Sequence, residues 1–216
     1  MRKLFFILAI GVGGWYWSNG QLPFFSTAGA YDDSGNPVVW LFTIKDCGKA
    51  CSMGRNNLKS RRVTYEEKLI DPNDSSDPNV ALWKSLGRGG FPLIVGGDIK
   101  IKGSGTRSMI VEMLGTNFGD RYLTRSERRF YSKHFYDDGT PRIVMYGADW
   151  CPHCKKLRTE LNANNVDFLE IDVDKSAYKT QITSTMEIPG YPAVWVGYKR
   201  VNGSDLRAIE KVMRSF

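Results

Sequence analysis

The chain has 216 residues, 42% of them hydrophobic and 25% charged, with 30 Lys and Arg against 23 Asp and Glu for a formal net charge of +7. That apolar content can support a core, so long disorder is excluded as the main state, and the length allows one or two domains. No run of 18 or more apolar residues occurs, which excludes a polytopic membrane protein, and four cysteines are too few for a disulfide-dense scaffold.

Arg2 and Lys3 precede the apolar run 4–17, LFFILAIGVGGWYW. Fourteen residues are short for a membrane span but suit the apolar part of a signal segment. Ala28-Gly29-Ala30 offers a small-residue cleavage site, while Trp15, Tyr16 and Trp17 would suit a membrane interface if the segment stays as an anchor. Either way the domains are expected outside the cytoplasm, periplasmic or anchored there.

Next comes an internal repeat. Tyr31-Asp-Asp-Ser-Gly-Asn-Pro37 is echoed by Tyr136-Asp-Asp-Gly-Thr-Pro141, and Cys47 lies ten positions after Pro37, as Cys151 does after Pro141. Phe91-Pro92 is answered by Tyr191-Pro192. Self-similarity at so long a period predicts two tandem domains, at 35–119 and 140–216, after a signal or anchor segment within 1–30. In the first, strands are expected at 38–43, 63–70, 93–95 and 99–102, and helices at 47–58, 78–86 and 108–114.

The link 120–139 contains RYLTRSERRFYSK, five basic residues against one acidic. It reads as a solvated linker or helix face, or as a surface for anionic headgroups or an acidic partner. Nucleic-acid binding is not expected, since no motif of a known binding module accompanies the charge. The second domain repeats the order of the first. Strands are expected at 143–146, 166–173, 193–196 and 199–201, and helices at 151–163, 175–184 and from Leu206, with Ser204 or Asp205 as the last helix's cap. Each unit joins a parallel βαβ half to a hairpin and a closing helix, an α/β class with helices on both faces of a small sheet.

Cys151-Pro-His-Cys154 is predicted at a strand-to-helix junction. Free N–H groups and the positive end of the helix dipole there favour a thiolate at Cys151. Cys154 lies on the same helix face and is placed to resolve a mixed disulfide. His153 would favour the thiolate further, and Trp150 gives an apolar surface beside the sulfur. A structural disulfide or half a zinc site are the other readings, but too few further ligands exist for zinc, and no metal is expected. Cys47-Gly-Lys-Ala-Cys51 aligns with this pair at one residue greater spacing. A bridge is still feasible there, either redox-active or fixed.

WCPHCKK after an apolar strand, then YP about forty residues on, then NGSDL before a last helix, resembles glutaredoxin and thioredoxin. The resemblance implies two tandem thioredoxin-like domains and thiol–disulfide oxidoreductase activity. It implies that Pro192, preceded by Tyr191, is a cis proline facing the active cysteine, with Phe91-Pro92 as the first domain's counterpart. Gly203-Ser204-Asp205 resembles the segment that holds the γ-glutamyl end of glutathione. Ala148, however, stands where the family usually has a lysine, which counts against glutathione. No cofactor is expected to be bound, and glutathione is the candidate co-substrate. The implied partners are protein thiols and disulfides, or glutathione, together with a redox partner protein. Alternatives are a glutathione-linked reductase or isomerase, and a non-catalytic module gripping an extended segment.

Overall fold

The computed structural model describes residues 29–216. The expected signal or anchor run 4–17 lies outside the described residues. Within them, no helix is long and apolar enough to cross a membrane.

Two four-stranded sheets follow one another along the chain. The first domain contains strands β1 (Val39–Thr43), β2 (Glu66–Leu69), β3 (Leu93–Gly96) and β4 (Ile99–Lys102), with helices α1 (Gly48–Lys59), α2 (Pro78–Ser85) and α3 (Arg107–Phe118). A connecting helix α4 (Arg125–Tyr131) and a 3-10 turn (Ser132–His134) lead to the second domain. That domain has strands β5 (Ile143–Gly147), β6 (Leu169–Asp172), β7 (Ala193–Val196) and β8 (Lys199–Arg200), and helices α5 (Pro152–Ala163), α6 (Lys179–Thr185) and α7 (Leu206–Met213). Both sheets have the same order, β2-β1-β3-β4 and β6-β5-β7-β8. In each, the first pair is parallel and the other two are antiparallel. This is the α/β class read from the sequence, as two thioredoxin-like units.

The central strands β3, β5 and β7 are buried along their whole length, because helices cover both sheet faces. The edge strands differ from expectation. The runs 63–70 and 166–173 pair only over 66–69 and 169–172. Their first residues close the preceding helix instead: Arg62 (φ 56°) and Asn165 (φ 53°) adopt left-handed backbone. That turn returns the N–H groups of Val63 and Val166 to the carbonyls of Leu58 and Leu161. The weak helix expected at 175–184 forms over 179–185, and the helix expected at 108–114 runs on to Phe118. In α7, Asp205 rather than Ser204 is the cap, accepting the Ala208 N–H at 2.9 Å. Met213, near the end of α7, is exposed.

The written echo of the repeat is displaced by one residue. The bridge Tyr31–Pro37 matches Phe135–Pro141, so Phe135, not Tyr136, is the counterpart of Tyr31.

The connecting segment carries structure of its own. Thr124 and Glu127 form a reciprocal capping box at the start of α4. Phe130 and Tyr131 are buried in a cluster that contains Val39, Leu41 and Met113 of the first domain and Tyr146, Ile182 and Trp195 of the second. One continuous core therefore joins the α1/α3 side of the first sheet to the α6 side of the second. The α2 side of the first sheet and the α5/α7 side of the second have separate cores. A second tie is polar. Glu187, just after α6, accepts the backbone N–H groups of Arg107 (3.1 Å) and Ser108 (3.0 Å) at the start of α3. A carboxylate satisfies these otherwise orphan donors and complements the helix dipole.

Candidate active site

β5 ends at Gly147 and the chain turns through Ala148, Asp149 and Trp150 into α5. Cys151 is the N-cap of that helix: its backbone is extended, Pro152 occupies the first turn, and its Sγ accepts the Cys154 N–H at 3.1 Å. A sulfur in that position receives one of the orphan donors of the helix start, the environment that favours a thiolate once the pair is reduced. Cys151 and Cys154 are joined as a disulfide with Cα atoms 5.3 Å apart, within the usual range. Both are buried and form a small cluster with Ala148, against which Tyr191 packs.

Gly147 explains how Cys154 fits. A Cβ added there would lie 3.0 Å from Cys154 Sγ and 3.7 Å from Glu170 Oε1. The sulfur thus sits against bare backbone. Glu170 is held by Arg158 of α5 through two bonds of 2.5 and 2.6 Å.

Trp150 is 66% exposed, its ring edge toward Tyr191 at 6.2 Å, and its Nε1 donates to Asp174 at 2.7 Å. Lys179 pairs with Asp174 at 2.7 Å, and its hydrogen bond is the main cause of that carboxyl's lowered pKa. Lys175 bonds Asp149 and lowers its pKa in the same way. The carboxylates of Asp149 and Asp174 beside the second cysteine pair are therefore already paired. His153 projects into solvent from the first turn of α5.

Tyr191–Pro192 is a cis bond, as is Phe91–Pro92. Pro192, Gly203 and Ser204 line one groove of about 730 Å³ together with Arg200, and its opposite side comes from the first domain, including Thr106 and Glu112. Of the expected glutathione segment, Gly203 and Ser204 face this groove, while Asp205 is engaged in capping α7. The first domain's part in the groove was not foreseen, because nothing in the repeat indicates how the two units face each other.

The first-domain pair is built differently. Cys47 and Cys51 also form a disulfide, with Cα atoms 5.6 Å apart. Cys47 is the N-cap of α1, but its backbone is helical and its sulfur accepts no capping hydrogen bond. Asp46 (φ 59°) before it and Gly48 (φ 65°) after it are both left-handed, so the extra residue of the motif is absorbed by a kinked helix start. Pro92 packs on Gly54 of α1, where an added Cβ would lie 3.1 Å from its Cγ. Phe91 turns the other way, stacking on Trp83 of α2 at 5.2 Å. Thr43 stands where the second domain has Gly147, and its hydroxyl donates to Glu67 at 2.8 Å. Glu67 in turn pairs with Arg55, repeating the Arg158–Glu170 bridge. That bridge was missed in the sequence, although Arg55/Arg158 and Glu67/Glu170 recur at the spacing of Cys51 and Cys154.

His134 also went unassigned in the sequence. It is fully buried, with Nδ1 2.8 Å from the Gly197 carbonyl and Nε2 2.9 Å from the Tyr146 hydroxyl. The carbonyl can only accept, so Nδ1 carries the proton and Nε2 accepts from Tyr146. Burial pushes its pKa down to about 4. Among the described residues, no group of three or more His, Cys, Asp or Glu is placed to hold a metal ion.

Comparison with known proteins agrees with this geometry. The family model described as Glutaredoxin matches residues 143–201, from β5 past β8. A glutaredoxin of Pseudomonas aeruginosa is 33% identical over 73 residues, which cover 33% of this chain and 87% of that protein. An uncharacterised glutaredoxin-like protein of Clostridium pasteurianum is 26% identical over 72 residues, 33% of this chain and 96% of that one. Among solved structures, a glutaredoxin from Archaeoglobus fulgidus is 29% identical, covers 36% of this chain and 90% of its own, and gives a TM-score of 0.30. The 33% identity to the Pseudomonas glutaredoxin over 87% of its length shows that the chain belongs to the glutaredoxin family.

Proposed function

We propose that this protein is a thiol–disulfide oxidoreductase whose principal redox pair is Cys151/Cys154, with Cys47/Cys51 secondary. The observation that carries this is the hydrogen bond from the Cys154 N–H to Cys151 Sγ, which has no counterpart at Cys47. In the reducing direction the Cys151 thiolate attacks one sulfur of a substrate disulfide. The substrate S–S bond breaks, a mixed disulfide forms, and the departing sulfur takes a proton. Cys154, deprotonated, then attacks Cys151 Sγ and releases the second substrate thiol, leaving the enzyme disulfide and two electrons on the substrate. A thiol partner, a small thiol or a redox protein, reduces the enzyme again. In the oxidising direction the same steps run backward.

A thiolate stabilised at a helix start leaves more readily and makes its disulfide more oxidising. The Cys151/Cys154 couple therefore has the higher reduction potential of the two. The groove beside Pro192, with Gly203 and Ser204 on its wall, supports an extended cysteine peptide or glutathione as substrate. Arg2 and Lys3 before the apolar run support export, with the domains outside the cytoplasm. A reporter active only outside the cytoplasm, fused after residue 216, is expected to work.

The deciding experiment is alkylation of the reduced protein at mildly acidic pH, with peptide mapping. Cys151 is labelled first. Earlier labelling of Cys47 or Cys154 removes the basis for the assignment.

A further inference from the structure

The basic segment 121–133 enters none of the redox chemistry. The structure folds part of it against the far end of α1. There, Arg61 and Arg62 from the helix end and Arg121 and Arg128 from the connecting segment line one cavity of about 430 Å³, with Thr64 and Thr124. No carboxylate lines it. Since α1 has 12 residues and rises about 1.5 Å per residue, the cavity lies about 18 Å along the helix from Cys47. It is distinct from both cysteine pairs.

Arg61 is the built part of this cavity. Its side chain is 6% exposed and fixed by Glu127 at 2.5 Å and by the Asn57 carbonyl at 3.0 Å, while its buried Nε has no hydrogen-bond partner. A buried donor without an acceptor is costly and calls for one. Glu127 pairs with Arg61 and, at 3.9 Å, with Arg107, and with none of the other arginines of the cavity. Arg62, Arg121 and Arg128 are exposed and make no salt bridge among the described residues. These three exposed guanidinium groups line the cavity without a paired carboxylate, Arg121 lying over the Tyr122 ring at 5.2 Å, and leave it with a net positive charge.

We propose that this cavity is a binding site for phosphate groups that together carry two or more negative charges, as in a pyrophosphate or in adjacent phosphodiester headgroups. Guanidinium groups present paired donors that match phosphate oxygens, and the threonine hydroxyls add further donors. A carboxylate supplies one negative charge against three positive ones, whereas a pyrophosphate or phosphate diester array supplies several. The group reaches the site either on a free phosphate compound or on the headgroups of an anionic lipid surface. Because the cavity is formed by the turn after α1 and the connecting segment together, its occupant ties the inter-domain connection to the first domain.

The test uses the full chain at low ionic strength, where such contacts are strongest. Pyrophosphate is titrated by calorimetry, and binding to phosphatidylglycerol and phosphatidylcholine vesicles is measured by flotation. Arg121→Gln/Arg128→Gln is compared with Lys100→Gln/Lys102→Gln, an equal charge loss on exposed residues of β4. Retained disulfide reductase activity of both variants shows that they are folded. Saturable pyrophosphate binding, weakened roughly tenfold or more in the arginine variant and by less than about twofold in the lysine variant, establishes a free phosphate ligand. The same pattern only with phosphatidylglycerol vesicles establishes a lipid source. No binding in either arm, or equal weakening by both variants, overturns the proposal.

Discussion

The two domains share a strand order, a cis proline before β3 and β7, a left-handed turn after the first helix and an Arg–Glu bridge from that helix to the edge strand. They diverge at two positions beside the chemistry and at one at the opposite end of the sheet. Cys151 Sγ caps its helix, whereas Cys47 sits at a kinked start with no capping bond. Gly147 leaves room for Cys154 Sγ, whereas Thr43 fills that position and bonds Glu67. The loop carbonyl between the hairpin strands is satisfied by the Ala30 N–H at Gly97 (2.8 Å) but by the buried His134 ring at Gly197 (2.8 Å). The repeat has kept what packs the sheet and changed what touches sulfur. This difference supports the proposal that the second domain holds the main redox pair, and it gives that domain a pH response of its own.

The cysteines test this contrast most severely. Cys151→Ser is expected to lower disulfide reductase turnover roughly a thousandfold or more, since the nucleophile itself is lost. Cys47→Ser should change it by less than about twofold under the same conditions. Equal losses in a steady-state assay with a model disulfide would show that the two sites work as one, and the contrast between them would collapse.

Acid should separate the domains next. The folded-state pKa of His134 is lowered from 6.5 to about 4, so the unfolded chain binds this proton more readily. The stability tied to neutral His134 is complete above pH 6.5 and is lost as pH falls toward 4. The loss is on the order of 3 kcal/mol. Denaturant titrations across this range should show that component in the wild type and not in His134→Gln. An identical pH profile in the variant would remove His134 from the account.

A smaller effect is expected at Gly147. Gly147→Ala places a methyl group 3.0 Å from Cys154 Sγ, and the resulting overpacking should cost about 1–3 kcal/mol. Release of a mixed disulfide from Cys151 should slow as Cys154 is displaced, which quenched-flow measurements with a labelled disulfide would register. An unchanged rate would mean that the bare backbone at this position has no bearing on the chemistry.

The least effect belongs to the tie between the domains. Glu187→Ala frees the N–H groups at the start of α3 and should cost about 1 kcal/mol. It should also broaden the unfolding transition as the domains lose coupling. A sharp, unshifted transition would assign that coupling wholly to the shared apolar core.

Much of each domain was legible because its signals are local. The apolar runs of β1, β3, β5 and β7, the helix spacing of Cys154, Leu157 and Leu161, and the cysteine motifs each depend on a few neighbouring residues. The repeat doubled every one of these signals, and the resemblance named the two prolines. Edge strands were overextended because a buried valine after a helix looks the same whether it pairs in a ladder or closes the helix end. Val63 and Val166 do the latter.

By itself, the sequence determined two α/β units, their element order and the cysteine pair at each helix start, since backbone propensity and apolar periodicity act over short distances. Only the tertiary structure decided how the units meet. The shared core around Tyr131 and Trp195, the Glu187 tie to α3, the first domain's wall of the groove beside Pro192 and the four-arginine cavity all join residues distant in the chain. Their energies come from burial and hydrogen bonding across that separation, and no local pattern encodes which distant partner a side chain will find.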